Sequence, residues 1–284
     1  MMRFLRSSPW ALGAAGALIL LLSFLCGFTL FFPAASLRPR LEEAGAKSGL
    51  RLTIGALETT FPLGLIAKEV TISSNAKEGV GVKAERITLR PVWSRLLLGQ
   101  AAVAYDAALL GGRIQGTMSR RGPLTLQGEG LSWRGPLPGL SGGTLVTQGC
   151  RGDLSAFWPA QADDALLLSL NCEQASVDGL LGAKEPLHLG SITLKGSGKG
   201  KDLRLTTLAA SGGQLGVDGN GSILLNAPIG RSLLNLNLTL RGQAGLNPTL
   251  AELLAALVPP TADGTSRLRL TGTLAAPQQA GASR

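Results

Sequence analysis

Four leucines at alternate positions, Leu234, Leu236, Leu238 and Leu240, interleave with Asn235, Asn237, Thr239 and Arg241. Alternate side chains point to opposite faces of a β-strand, so this segment reads as a strand aliphatic on one side and polar on the other. The pattern recurs: Leu203 and Leu205 alternate with Arg204 and Thr206, and Leu268 and Leu270 with Arg267, Arg269 and Thr271. Earlier, Leu50, Leu52 and Ile54 alternate with Arg51 and Thr53, Val70 is followed by Ile72, and Ile87 and Leu89 flank Thr88. An antiparallel sheet wetted on one face needs such strands, and its leucine face must still be hidden. The expected fold is mainly β: a single N-terminal transmembrane helix, then an elongated, one-faced antiparallel sheet, groove or taco-like, with one or two short helices.

The transmembrane helix is read from Ala11 to Phe32, 22 residues without a charge, preceded by Arg3 and Arg6. A hydrocarbon core of about 30 Å needs about 20 helical residues, so the length suffices. A cleaved signal peptide, the alternative, has a shorter apolar region of about 7 to 15 residues and a small-x-small cleavage site. Cleavage after Ala35 would set Pro33 at the minus-three position, and Ser23, Phe24 and Leu25 before Cys26 match a lipoprotein acylation site poorly. Arg38 and Arg40 follow the run and weaken the charge asymmetry, but long domains cross a membrane largely regardless of charge. Residues 1–10 are therefore assigned to a cytoplasmic tail, 11–32 to a membrane span, 33–36 to a linker, 37–277 to a β domain on the far side of that membrane and 278–284 to a disordered tail.

Leu37 to Lys47 has helical spacing with Glu42 and Glu43 early in it, and Gly49 stops it. Pro91 breaks the first strand series, and Val92 to Leu98 reads as a short helical or irregular crossover ending at Gly99. A further helix has Asn247 as N-cap, Pro248 in its first position and Pro259-Pro260 beyond its end, and is expected to cover one end of the apolar face. Gly-Gly pairs at Gly111-Gly112, Gly142-Gly143 and Gly212-Gly213 each precede alternating residues. Glycine supplies the positive φ of tight hairpins, so the three pairs are expected at turns of a reused hairpin.

The formal net charge of +9 does not point to nucleic acid, because the basic residues are scattered, without runs or neighbouring aromatics to stack bases. A basic surface is compatible with anionic lipid headgroups. Of three cysteines, Cys26 falls in the apolar run, whereas Cys150 and Cys172 fall in the exported part, where an oxidising compartment permits a disulfide; two free thiols on neighbouring strands are the alternative. A bridge closing that loop would contribute about 3 kcal/mol.

His188 is the single histidine, so multi-imidazole and Cys/His metal sites are not expected. Within Leu187-His188-Leu189 it takes a polar-face position, with no partner for base catalysis named by the sequence. Asp163-Asp164 reads as a solvated turn, and no glycine-rich segment has the Gly-Lys-Ser/Thr ending of a phosphate loop. No catalytic, cofactor or metal residue is expected.

One apolar span, a short helix and one-sided strands, with Gly64-Leu65-Ile66-Ala67-Lys68-Glu69-Val70-Thr71-Ile72, Lys83-Ala84-Glu85-Arg86-Ile87-Thr88-Leu89-Arg90-Pro91 and the ending Leu268-Arg269-Leu270-Thr271-Gly272-Thr273-Leu274, resemble the AsmA-like envelope proteins. At this length the chain is most similar to the type II secretion system protein N (GspN) family. That resemblance implies a non-enzymatic, inner-membrane-anchored periplasmic component of the type II secretion machinery, with a scaffold or assembly role and other secretion subunits as partners. The longer members of the superfamily look like lipid conduits, which adds phospholipid acyl chains as partners and lipid binding or transfer as the alternative. About 14 strands at about 4.8 Å would make a sheet about 65 Å long, enough to hold an acyl chain but not to cross a periplasm.

Overall fold

A computed structural model describes residues 34–47, 50–74, 81–120, 122–136, 143–157, 160–180, 185–226, 229–243 and 245–280, with Ile19, Leu20, Ser23 and Gly27. Those last four are helical, and the rest of the 11–32 span lies outside the described residues. No helix among the described residues is long and apolar enough to cross a membrane.

The described residues form one open sheet of 14 antiparallel strands in strict sequence order. These are β1 (Leu50–Thr60), β2 (Gly64–Ser74), β3 (Gly81–Pro91), β4 (Ala102–Leu109), β5 (Gly112–Ser119), β6 (Leu124–Pro136) and β7 (Thr144–Ala156). There follow β8 (Ala165–Asp178), β9 (Leu187–Lys199), β10 (Asp202–Gly212), β11 (Leu215–Leu224), β12 (Leu233–Gly242), β13 (Thr265–Thr273) and β14 (Ala276–Gln279). Three α-helices occur among the described residues: α1 (Arg38–Lys47) precedes β1, and α2 (Trp93–Leu97) and α3 (Pro248–Leu257) interrupt the meander. Ala34–Leu37, taken from sequence as mostly linker, forms a 3-10 turn leading into α1. Gln278 and Gln279, assigned to a tail, pair in β14, and Ala280 N–H donates to Arg269 O at 2.8 Å.

Strict alternation holds in β12 but slips elsewhere. In β1, β2 and β3 the inward residues are Ile54, Val70 and Ala84 at one level, and Leu57, Ala67 and Ile87 at the next. Two residues rather than one separate the levels, and Glu69 takes φ 53° there. An extra residue in a strand makes a bulge and resets which side chains face in. The same slip puts Thr147 and Cys150 of β7, and Cys172 and Ala175 of β8, on the buried side, with Gly149 at φ 64° between the β7 pair.

A single sheet has no second sheet to cover it, so its apolar face must be closed by helices or by its own side chains. α1 covers one end: Leu41 packs on Ile54, Val70 and Ala84. α3 covers part of the other, with Leu250 buried among Val177, Leu180, Leu187 and Leu215, as expected of that helix. Asn247 O accepts from Ala251 N–H at 2.9 Å, which places Asn247 at the helix start with Pro248 in the first position, where no N–H is needed. Each such side chain, fully buried, contributes about 1.5–3 kcal/mol.

Between these caps the sheet covers itself. Leu166, Leu203 and Leu205 are at most 4% exposed, yet among the described residues no helix side chain belongs to their cluster. Glycines explain it. Gly196 lies between Leu168 and Leu205 in register, and Gly198 between Leu166 and Leu203. A Cβ on Gly196 would stand 2.9 Å from Leu205 Cδ2 and 3.0 Å from Leu203 Cδ1, so leucines of β10 lean over β9 through the space it leaves empty.

Candidate binding face

Register lines the apolar side chains up in rows. One row runs Leu126, Leu154, Leu168, Gly196, Leu205, Gly221, Leu236 and Leu270 from β6 to β13. All eight leucines expected on the apolar face fall on one face by this pairing. Leu203, Leu205 and Leu234 are buried, whereas Leu236, Leu238, Leu240, Leu268 and Leu270 remain partly exposed. Leu126, Leu154 and Leu168 belong to the same surface and line a concavity of about 370 Å³ with Gly196. Sequence reading missed them because bulges on β6 to β10 shift the phase; two-residue gaps between apolar positions, such as Leu205 to Leu208, were the signal.

The opposite face is polar and holds a wider concavity of about 650 Å³ over β3 to β6. Its floor is low because β4 contributes the short Ala104 and Asp106, while Arg86, Arg90, Arg113 and Gln127 rise around them. Arg113 donates to Asp106, and this hydrogen bond, with the carboxylate's charge, raises the guanidinium pKa further. Tyr105 OH donates to Thr125 O at 2.6 Å, passing over Gly116, and burial raises its pKa.

The expected turn glycines divide. The β4–β5 turn is Leu110-Gly111, both at positive φ, 55° and 72°, as a type I′ hairpin requires. Gly112 is not in the turn but opens β5, where a Cβ would stand 2.4 Å from Glu129 O; its absence admits the neighbouring strand. Gly212 ends β10 at φ 80°, and Gly213 passes so close to β9 that a Cβ would lie 2.3 Å from His188 O. Gly143 is buried just before β7, and Gly142 lies outside the described residues.

Cys150 and Cys172 are joined by a disulfide linking β7 to β8. Both are buried at the level where these strands bulge. His188 is exposed, and its backbone N–H donates to Gln214 Oε1 at 3.2 Å. Asp164 Oδ2 accepts from Gln161 N–H at 2.7 Å in a surface turn. Among the described residues no three of His, Cys, Asp and Glu converge into a metal-ligating group.

One strand edge is closed off. Ile54 N–H on β1 donates to Glu42 Oε1 at 3.2 Å, and Arg38 donates to Gly55 O at 3.3 Å, so α1 occupies hydrogen-bonding groups of the edge. Arg38 also donates to Glu42 at 3.0 Å; these bonds, the Arg38 one foremost, lower the Glu42 pKa. No family model, curated protein or solved structure matches the chain.

Proposed function

We propose that this chain is a non-enzymatic, inner-membrane-anchored periplasmic component of the type II secretion system with a scaffold or assembly role, its one long sheet serving as the docking surface. The observation that carries the reading is the single open sheet of 14 strands in sequence order, with both its polar and its apolar face in part uncovered. Such a sheet offers a long surface rather than a cleft, which suits assembly better than turnover. The sequence resemblance to the protein N family supplies the machinery. In-cell cross-linking from exposed polar-face positions, such as Gln115 and Gln127, is expected to recover secretion subunits, and deletion to lower export of secreted proteins. Recovery of none, with normal export, overturns the proposal.

A second reading, a lipid-binding or lipid-transfer module, is favoured by the half-exposed Leu236, Leu238, Leu240, Leu268 and Leu270. Five aliphatic side chains left partly wet on one face would accept an acyl chain as cover. Native mass spectrometry of the full chain released from the membrane is expected to show bound phospholipid, lost in Leu238→Asp. A chain that carries no lipid in either form refutes this reading and leaves the scaffold role standing.

A further inference from the structure

Past residue 34, every large apolar side chain that stands exposed among the described residues lies at the same end of its strand or in the connections there. In a meander the chain reverses at each turn, so the connections 61–63, 92–101, 120–123 and 225–232 all fall on that one side. The densest group is Phe61 in the β1–β2 turn and Trp93, Leu96, Leu97 and Leu98 in the β3–β4 crossover. Leu97 and Leu98 are 87% and 77% exposed, and no residue of α2 is buried. Neither folding nor packing accounts for five large apolar side chains held in water.

The polypeptide that precedes the domain arrives at this same end. α1 runs antiparallel to β1: Lys47 closely precedes Leu50, while Glu42 reaches Ile54 and Arg38 reaches Gly55. Continuing back from Glu42 to Ala34 at about 1.5 Å per residue moves about 12 Å toward the Thr60 end. The described chain therefore enters the domain at Ala34 on the Thr60 side of Ile54, about level with Glu58 at about 3.3 Å per strand residue, and the uncharged sequence from Ala11 to Phe32 precedes it. The α2 crossover is two to three strands away, about 10–15 Å. Arg90, Arg95 and Arg120 stand at the same end, and the connections 61–63, 92–101 and 120–123 hold no carboxylate among their described residues.

We infer that this rim, Phe61 with Trp93, Leu96, Leu97 and Leu98, is seated in the headgroup and upper acyl region of the bilayer that holds residues 11–32, with the three arginines facing anionic lipid. The inference rests on the anchoring reading of that span and not on the secretion role. Tryptophan and leucine beside arginine are what an interface-seated surface presents. A seated rim fixes the orientation of the whole sheet on the membrane, which a single point of attachment cannot do.

The test uses the full chain in vesicles of phosphatidylethanolamine and phosphatidylglycerol. In a Cys26→Ser background, with Cys150 and Cys172 bridged, a nitroxide is placed at Leu97→Cys and, as the control from the opposite end of β3, at Lys83→Cys. The label at position 97 is expected to lose collisions with a water-soluble nickel chelate and gain them with oxygen, and the label at 83 to do the reverse. With Trp10, Trp133 and Trp158 replaced by phenylalanine, Trp93 fluorescence is expected to be quenched by brominated acyl chains, and the double variant Leu97→Asp, Leu98→Asp, which alters no buried residue, to lose that quenching. A chain that floats with the vesicles while position 97 stays as water-accessible as position 83 overturns the rim and leaves anchoring intact. A chain that does not float overturns both. Dipolar broadening between labels on two copies, without oxygen preference, overturns the rim in favour of self-association.

Discussion

Gly111 and Gly112 are adjacent yet serve different physical needs. Gly111 supplies a left-handed backbone with open space around it, so Gly111→Ala is expected to cost about 1–2 kcal/mol from the backbone alone. Gly112→Ala drives a methyl into the Glu129 carbonyl; about 1–3 kcal/mol is expected from steric displacement. Only this second variant should disturb β5–β6 amide shifts, as read by chemical denaturation and NMR on the same samples. Asp263 is the other residue whose setting makes a sharp prediction. Hydroxyls of Thr261 and Thr265, then the Thr265 N–H, hold its carboxylate, lowering its pKa from 3.8 to about 2. A depressed carboxylate pKa means that its contribution to stability is complete above the unfolded value and is lost as pH falls from about 4 through about 2. NMR titration of Asp263 should give that midpoint, and Asp263→Asn should remove the acid dependence of the link between α3 and β13.

At the scale of elements, each strand is held by its neighbours in sequence, and the disulfide is the one covalent tie between two of them. The Cys150–Cys172 bridge closes a separation of 22 residues, so replacing both with serine is expected to cost about 3 kcal/mol through the unfolded state. Urea denaturation of the oxidised, reduced and doubly substituted proteins checks this, the last two agreeing if the bridge acts through chain entropy. α1 works differently, occupying Ile54 N–H and Gly55 O and so limiting strand addition at that edge. α1 and α3 were legible in the sequence from Gly49, Asn247-Pro248 and Pro259-Pro260, because helix punctuation is local chemistry; 92–98 was open between a helix and an irregular crossover, so three helices stand where one or two were expected. The contact of Glu42 with β1 was not, because it joins residues whose meeting depends on how α1 lies.

For the whole molecule, the unusual feature is an apolar face closed partly by helices and partly by itself. The division predicts unequal responses to the same truncation. Leu205→Ala, in the self-covered part, is expected to cost about 2–5 kcal/mol, and Leu238→Ala, partly exposed, about half as much because less of its surface leaves water on folding. Thermal denaturation of both variants decides it, and equal losses would mean that position 238 is covered as fully as 205. What neither a helix nor the sheet itself fully covers is the leucine row of β12 and β13, Leu236, Leu238, Leu240, Leu268 and Leu270, and that is where an acyl chain must bind in the lipid reading.

Alternation and turn chemistry were enough to determine that the chain is mainly β, one-faced and antiparallel, since period two and tight turns depend on residues close in sequence. They also placed Leu203 and Leu205, Leu234 to Leu240, and Leu268 and Leu270 on one face. Tertiary structure alone decided the bulges that bring Leu126, Leu154 and Leu168 to that face, the use of Gly196 and Gly198 as room for leucines of the next strand, and the gathering of Phe61, Trp93 and Leu96 to Leu98 at one end. These depend on register between strands, and register is set by how the whole sheet packs, a sum over many contacts that no short stretch of sequence contains.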